Sequence, residues 1–247
     1  LAGGRAVLFT DGRYTAQAKA EAVGTRVVIA KESAVAAACG WLESAGVRRC
    51  GFDAAQTTVA ALERMRKSVS SGVRRGMFQA AGPLVARLRE VKDAEEIAVM
   101  RKAALLGCRL FDGMLSYMQP GLTEIVVAAE LEHAARLGGA EAMSFETIVA
   151  SGERSALPHG RATRAKLPRR GFVTLDFGVV VDGYASDMTR TVHMGKARPG
   201  EREVYDAVLE AQEAAVAKVA PGLTSGEVDE AARSVVRKGR LDRYFSH

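Results

Sequence analysis

"FVTLDFGVVVDGYASDMTRTVHMG" (172–195) is the most apolar and most β-branched stretch of the chain, yet Asp176 and Asp187 interrupt it. The run alternates, is rich in Val, Phe, Tyr and Thr, and is broken once by Asp182-Gly183, a strong hairpin signal. Two antiparallel strands are expected. With Asp182 and Gly183 as a two-residue loop, Val181 faces Tyr184 and Asp187 falls opposite Gly178. Alternation with a period of two then puts Asp176, Gly178, Val180, Ala185, Asp187 and Thr189 on one face. Leu175, Phe177, Val179 and Met188 line the other, which is the core face. The two aspartates are diagonal neighbours whose Cα atoms stand about 7–8 Å apart. Like charges at that range repel, so the pair persists if one acid is protonated, if a basic residue intervenes, or if a divalent cation binds. Oxygen ligands suit Mn²⁺, with Zn²⁺ or Co²⁺ as alternatives. The same spacing also fits two acids that simply face water on a half-exposed hairpin.

The 247 residues, 48% of them hydrophobic, can bury one large core or two ordinary ones, and nothing in the composition suggests disorder. No apolar run approaches the roughly 20 residues that span a bilayer, and "LAGGRAVLFTDGRY" (1–14) is no signal peptide. Cys39, Cys50 and Cys108 stand far apart and form no CxxC pair, so neither a disulfide framework nor a thiolate zinc site is indicated. A reducing, cytoplasmic location is expected. The net charge of +6 gathers in basic clusters at 64–76 and 159–170. With aromatics at 6% and no helix-turn-helix, RNP or zinc-finger pattern, these are read as solvated surface, with no nucleic-acid or membrane partner.

Outward from the hairpin, the first third alternates β-like runs (Ala6–Phe9, Arg26–Ile29, Arg49–Phe52) with helical ones (Ala34–Ser44, Thr58–Lys67). That pattern marks an α/β domain with a partly parallel sheet. By its chemistry, Asp11-Gly12 is a hairpin turn. Gly82-Pro83 marks a joint, which gives domains at 1–82 and 83–247. A long helix follows, with Asp93 as N-cap, Glu96 as its capping-box partner, and Ile97, Met100, Ala104, Phe111 and Leu115 at helical spacing. Pro120 ends it.

A repeat organises the second part. "PGLTEIVVAAELEHAARLGG" (120–139) and "PGLTSGEVDEAARSVVRKGR" (221–240) share Pro-Gly-Leu-Thr, and at one offset Val127 matches Val228, Arg136 matches Arg237 and Gly138 matches Gly239. Pro-Gly punctuation and a Thr cap account for part of this. Because the matches continue through the following helix, an internal duplication is expected, with a site at its pseudo-twofold seam.

Hairpin, repeat and leading α/β domain together resemble the pita-bread metallopeptidases, specifically the Xaa-Pro aminopeptidase and Xaa-Pro dipeptidase branch, over nearly the whole chain. The resemblance implies an α/β (α+β) fold: a creatinase-like N-terminal domain, then a pita-bread catalytic domain with a pseudo-twofold repeat, incomplete at its C-terminus. "TLDFGVVVDGYASDMTRTVHMG" (174–195) looks like the first metal-ligand segment, which implies Asp176 and Asp187 as ligands of two divalent ions, with Asp187 bridging. "FETIVASGERSALPHG" (145–160) resembles the segment ending in an active-site histidine, His159. "RYFSH" (243–247) resembles the approach to the histidine ligand and makes His247 a substrate-side histidine. Thr189 would orient a ligand carboxylate, and Phe145 would shape the substrate pocket or serve as a core aromatic. "FTDGRY" (9–14) resembles a turn of the family's N-terminal domain. His133 and His193 match no motif and are read as surface or satisfied structural residues.

The pattern departs in one respect: a further histidine and two glutamate ligands would lie after His247. The chain opens on Leu1 and is expected to be a fragment, clipped at both ends, that alone binds metal weakly and is inactive. The implied activity is a dinuclear-metal Xaa-Pro aminopeptidase acting on proline-containing peptides, with homodimerisation when full length. The alternatives are an Xaa-Pro dipeptidase and, from another class, a non-catalytic pita-bread protein that binds protein or RNA. A creatinase-like C–N hydrolase ranks below these because that branch lacks the metal carboxylates, and methionine aminopeptidase because of the leading α/β domain.

Overall fold

The computed structural model describes residues 4–70, 72 and 76–245, so His247 lies outside the described residues. The chain divides into two compact units, Leu1–Lys92 and Asp93–His247. Gly82-Pro83 opens a short helix inside the first unit, and the divide falls where the next helix is capped.

The first unit runs β1 (Val7–Asp11), α1 (Thr15–Glu21), β2 (Arg26–Ala30), α2 (Ala34–Ser44), β3 (Cys50–Asp53), α3 (Val59–Lys67), β4 (Phe78–Ala81) and α4 (Leu84–Glu90). The pairs β1–β2 and β3–β4 are both parallel. Ser33 and Thr58 cap α2 and α3 by accepting from the amides of Ala36 and Ala61, which satisfies donors that a helix start leaves open. Cys39, Val69, Met77 and Phe78 form the buried core. The hairpin expected at Asp11-Gly12 is not formed. Asp11 ends β1, accepts from the Arg13 amide at 3.0 Å, and starts a 3₁₀ turn that leads into α1. A crossover helix must intervene because β1 and β2 run parallel. The Arg13 side chain beside it holds the Asp11 carboxyl down at about 2.

The second unit runs α5 (Ala94–Tyr117), α6 (Glu124–Leu137), β5 (Ala142–Met143), β6 (Ile148–Ser151), β7 (Gly171–Phe177), β8 (Val179–Val181), β9 (Tyr184–Ala185), β10 (Met188–Met194), α7 (Pro199–Lys218) and α8 (Ser225–Lys238). One antiparallel sheet has the order β10-β7-β6 and another β5-β8-β9. Both halves of the Asp93/Glu96 capping box are present on α5. The face that α5 buries is Ala103, Leu106, Gly107, Leu110 and Met114, whereas Ile97, Met100 and Leu115 are exposed. The helix carries apolar residues on two faces, and the sheet selects the one with small residues. A Cβ on Gly107 would stand 3.0 Å from the Met188 sulfur, so glycine lets the hairpin come close.

The hairpin has the expected register. Val181 pairs with Tyr184, and Thr189 pairs with Asp176. Asp182 and Gly183 both take positive φ, 47° and 77°, as the primed turn requires. Val173, Leu175, Phe177 and Val179 are completely buried against the helical layer. The tip is tied to α5, because Tyr184 Oη donates to Glu96 at 2.7 Å and Lys102 pairs with Asp182 at 3.2 Å.

The two repeat segments fold alike. Thr123 and Thr224 are the N-caps of α6 and α8, and Gly138 and Gly239 their C-caps. After them, Gly139 and Arg240 adopt positive φ, and Ala140 and Leu241 bond back to Ala135 and Val236. Identical helix-end geometry at one offset supports duplication over shared punctuation.

Candidate metal centre

Asp176 sits on the middle strand of its sheet, with Ile148 of β6 on one side and Thr189 of β10 on the other. Neighbours on both sides leave it half-buried, while Asp187, in the gap between β9 and β10, is exposed. The gap forms where the hairpin arms pass from one sheet to the other. There Ser186 donates its amide to Val179 O at 2.8 Å, and its hydroxyl accepts the Val179 amide at 3.0 Å. A Cβ on Gly178 would overlap the Ser186 carbonyl oxygen and stand 2.8 Å from its carbon. Glycine at 178 therefore lets the second arm cross close enough to bring Asp187 beside Asp176.

Burial pushes the Asp176 carboxyl above its ordinary value. The Thr189 hydroxyl, donating at 3.0 Å, pulls it back, the negative charge of Asp187 raises it further, and His159 lowers it. Thr189 thus touches Asp176, and the charges of Asp187 and His159 both act on it. Two mutually repelling carboxylates and a hydroxyl that orients one of them make a hard-oxygen donor set, which fits a divalent cation. Among the described residues no group of three or more His, Cys, Asp or Glu side chains is placed to hold a metal ion. Asp176 and Asp187 are the pair the structure brings together.

His159 is exposed, on the segment that leaves β6 through the 3₁₀ turn Gly152–Ala156. Phe145 is half-buried between β5 and β6. His133 is exposed on α6. His193 lies edge-on to Phe172, with ring centroids 5.1 Å apart, and its Nε2 is 3.2 Å from Glu201. It links β10 to the start of α7, which is a structural position. Part of the basic 159–170 cluster is paired, Arg161 with Glu146 and Arg170 with Glu201.

Sequence reasoning passed over Glu124, a carboxylate with no exposed surface at the first position of α6. An acid after a Thr cap reads as an ordinary helix-start residue, and only its burial sets it apart. Its partners are the Ser151, Thr163 and Arg154 donors that frame the His159 segment.

Residues 98–247 match metallopeptidase family M24, and residues 1–91 match the Creatinase/Prolidase N-terminal domain. The chain is 36% identical to the uncharacterized peptidase YqhT of Bacillus subtilis (strain 168), over all of this chain and 69% of that protein. The fold superposes on an Xaa-Pro dipeptidase from Bacillus anthracis with a TM-score of 0.90 at 35% identity, covering 98% of this chain and 66% of that one. Against the X-Pro aminopeptidase from Thermotoga maritima MSB8 the TM-score is 0.89 at 32% identity, covering 98% and 67%. The chain thus spans about two thirds of the length of these relatives. With a creatinase-like first unit and a pita-bread second unit that carries the paired aspartates, the chain belongs to metallopeptidase family M24.

Proposed function

We propose that the intact gene product is an Xaa-Pro aminopeptidase, with Asp176 and Asp187 holding a pair of divalent ions, Mn²⁺ by preference. What supports the reading is the geometry of the hairpin: Thr189 lies opposite Asp176 and donates to its Oδ1 at 3.0 Å, and the close crossing at Gly178 carries the Asp187 arm toward it. When bound, such ions supply Lewis-acid polarisation of the scissile carbonyl and make the attacking water more acidic. The chain's own residues do the rest. The Thr189 hydroxyl occupies one lone pair of Asp176 Oδ1 and so fixes the carboxylate's rotation. An Xaa-Pro bond leaves through a tertiary nitrogen that carries no N–H, so departure needs a positioned proton donor. His159, exposed and within the field of Asp176, is assigned to donate to the leaving nitrogen or to the developing oxyanion. His247 is assigned a second substrate-side role on the motif alone. Phe145 is assigned to the wall that meets the proline ring.

Binding of Mn²⁺ to the intact gene product, followed by calorimetry, tests the carboxylate assignment directly. Asp187→Asn is expected to weaken binding at least tenfold while leaving the melting temperature of the metal-free chain nearly unchanged, because the residue is exposed. Equal affinity in the two proteins would remove the assignment and return the binding-protein reading. With the intact gene product, release of the first residue from Xaa-Pro-Xaa tripeptides is expected, and hydrolysis of Xaa-Pro dipeptides alone would make it a dipeptidase. The intact protein is also assigned as a homodimer, measurable by light scattering. Its location is assigned to the reducing cytoplasm, where Cys39, Cys50 and Cys108 remain free thiols. No helix among the described residues is long and apolar enough to cross a membrane.

A further inference from the structure

A fully buried carboxylate is costly unless hydrogen bonds replace its water. Glu124 has that replacement, divided between its two oxygens. Oε1 accepts from the amide and the hydroxyl of Ser151, at 2.8 and 2.9 Å. Oε2 accepts from the amide and the hydroxyl of Thr163, at 3.0 and 2.7 Å, and from Arg154 Nε at 3.3 Å. Ser151 is the last residue of β6, and Thr163 lies on the limb that returns. One oxygen therefore holds each end of the segment 152–162, which carries His159.

Other contacts complete the clamp. The Glu124 amide donates to Ala165 O at 2.9 Å, and the Ile125 amide to Thr163 O at 3.0 Å, so the start of α6 is bonded to the returning limb. Arg154 Nη2 reaches across the segment to Arg161 O at 2.7 Å. Gly160 packs so closely on Ala150 that an added Cβ would meet it at 3.0 Å. Arg161 bridges Ile148, the residue paired with Asp176, so the returning limb passes beside the metal-bearing row only two residues after His159.

We propose that Glu124 is a positioning residue for His159: by gripping Ser151 and Thr163 from opposite oxygens, it fixes the 152–162 segment so that the imidazole stands at the aspartate pair. The role of His159 in the reaction rests on the function proposed above, whereas the clamp does not. The chemistry of the site excludes an amide substitute. Every group facing Glu124 is a donor, and a carboxylate is acceptor-only. Glutamine would turn an NH₂ toward either the Ser151 or the Thr163 backbone N–H, and neither can reverse its role.

Two measurements test this. In the 247-residue chain, Glu124→Gln is expected to speed amide hydrogen exchange across 152–162 at least tenfold while Val173–Phe177 of β7 keeps its protection. Unchanged exchange in 152–162 would overturn the clamp. In the intact gene product, Glu124→Gln is expected to lower kcat for an Xaa-Pro peptide about tenfold to a hundredfold, with KM and bound Mn²⁺ within twofold of the parent. Combined with His159→Ala, it should cause no further loss. An equal loss in both backgrounds would show that Glu124 serves the fold rather than His159 and would overturn the proposal. If His159→Ala keeps full activity while Glu124→Gln still loosens 152–162, the clamp stands and the catalytic assignment of His159 falls. Thr163→Val, which removes one donor and leaves the backbone bonds, supplies a graded loosening should the glutamine variant not fold.

Discussion

At Gly178 the chain has no room for a side chain, and the close crossing of the arm that carries Asp187 depends on that. Gly178→Ala would press its methyl into the Ser186 carbonyl, where backbone rather than a flexible side chain must yield. A loss of about 3 kcal/mol is expected in urea denaturation, together with weaker Mn²⁺ binding, because the displaced arm carries Asp187. Unaltered stability and affinity would mean that the arms cross less tightly than the Gly178–Ser186 contact implies. The register on either side of Gly178, Val180 with Ala185 and Phe177 with Met188, was legible from the hairpin count. The reason for glycine was not, since it lies in a carbonyl brought in by the opposite arm. Thr189 was legible in the same way: strand alternation placed it on the face of Asp176, and the structure adds the hydrogen bond between them.

At the scale of elements, the start of α6 does more than begin a helix. Burial pushes the Glu124 carboxyl up, but the bonds from Thr163 and Ser151 outweigh it and hold its pKa below the ordinary glutamate value. Arg154 is the charged group among its hydrogen-bond partners. A carboxylate with a depressed native pKa contributes stability above its unfolded pKa, about 4.3, and loses it as the pH falls through the native value. The denaturation midpoint is therefore expected to fall below about pH 4.3 more steeply in the parent than in Glu124→Gln. Parallel profiles would show that Glu124 is not the group that titrates. The caps Asp93, Thr123 and Thr224 could be read from the sequence because capping is local chemistry. The buried face of α5 could not, since two apolar stripes satisfy the same period and the choice is made by a sheet remote in sequence.

For the whole molecule, two cores built from separate stretches of chain divide the stability. Leu175 is completely buried in the second core, and Trp41, the sole tryptophan, stacks near Phe9 in the first unit with ring centroids 5.9 Å apart. Leu175→Ala is expected to cost the second unit about 3 kcal/mol. The Trp41 fluorescence transition should keep its midpoint while the far-UV signal of the second unit melts earlier; a common shift would show that the two cores unfold as one. The sequence by itself determined the hairpin and its register, the caps of α5, α6 and α8, the repeat and the placement of Thr189 beside Asp176, because these follow from backbone periodicity and from neighbours a few residues apart. It also placed the strands and helices of the first unit to within a residue or two, apart from α1, β4 and α4. Only the tertiary structure decided that Asp11-Gly12 leads into a helix between parallel strands, which face of α5 is buried, and that Glu124 grips the His159 segment. Each of these depends on a partner far away in sequence, and no local pattern records which distant donor, strand or side chain will arrive there.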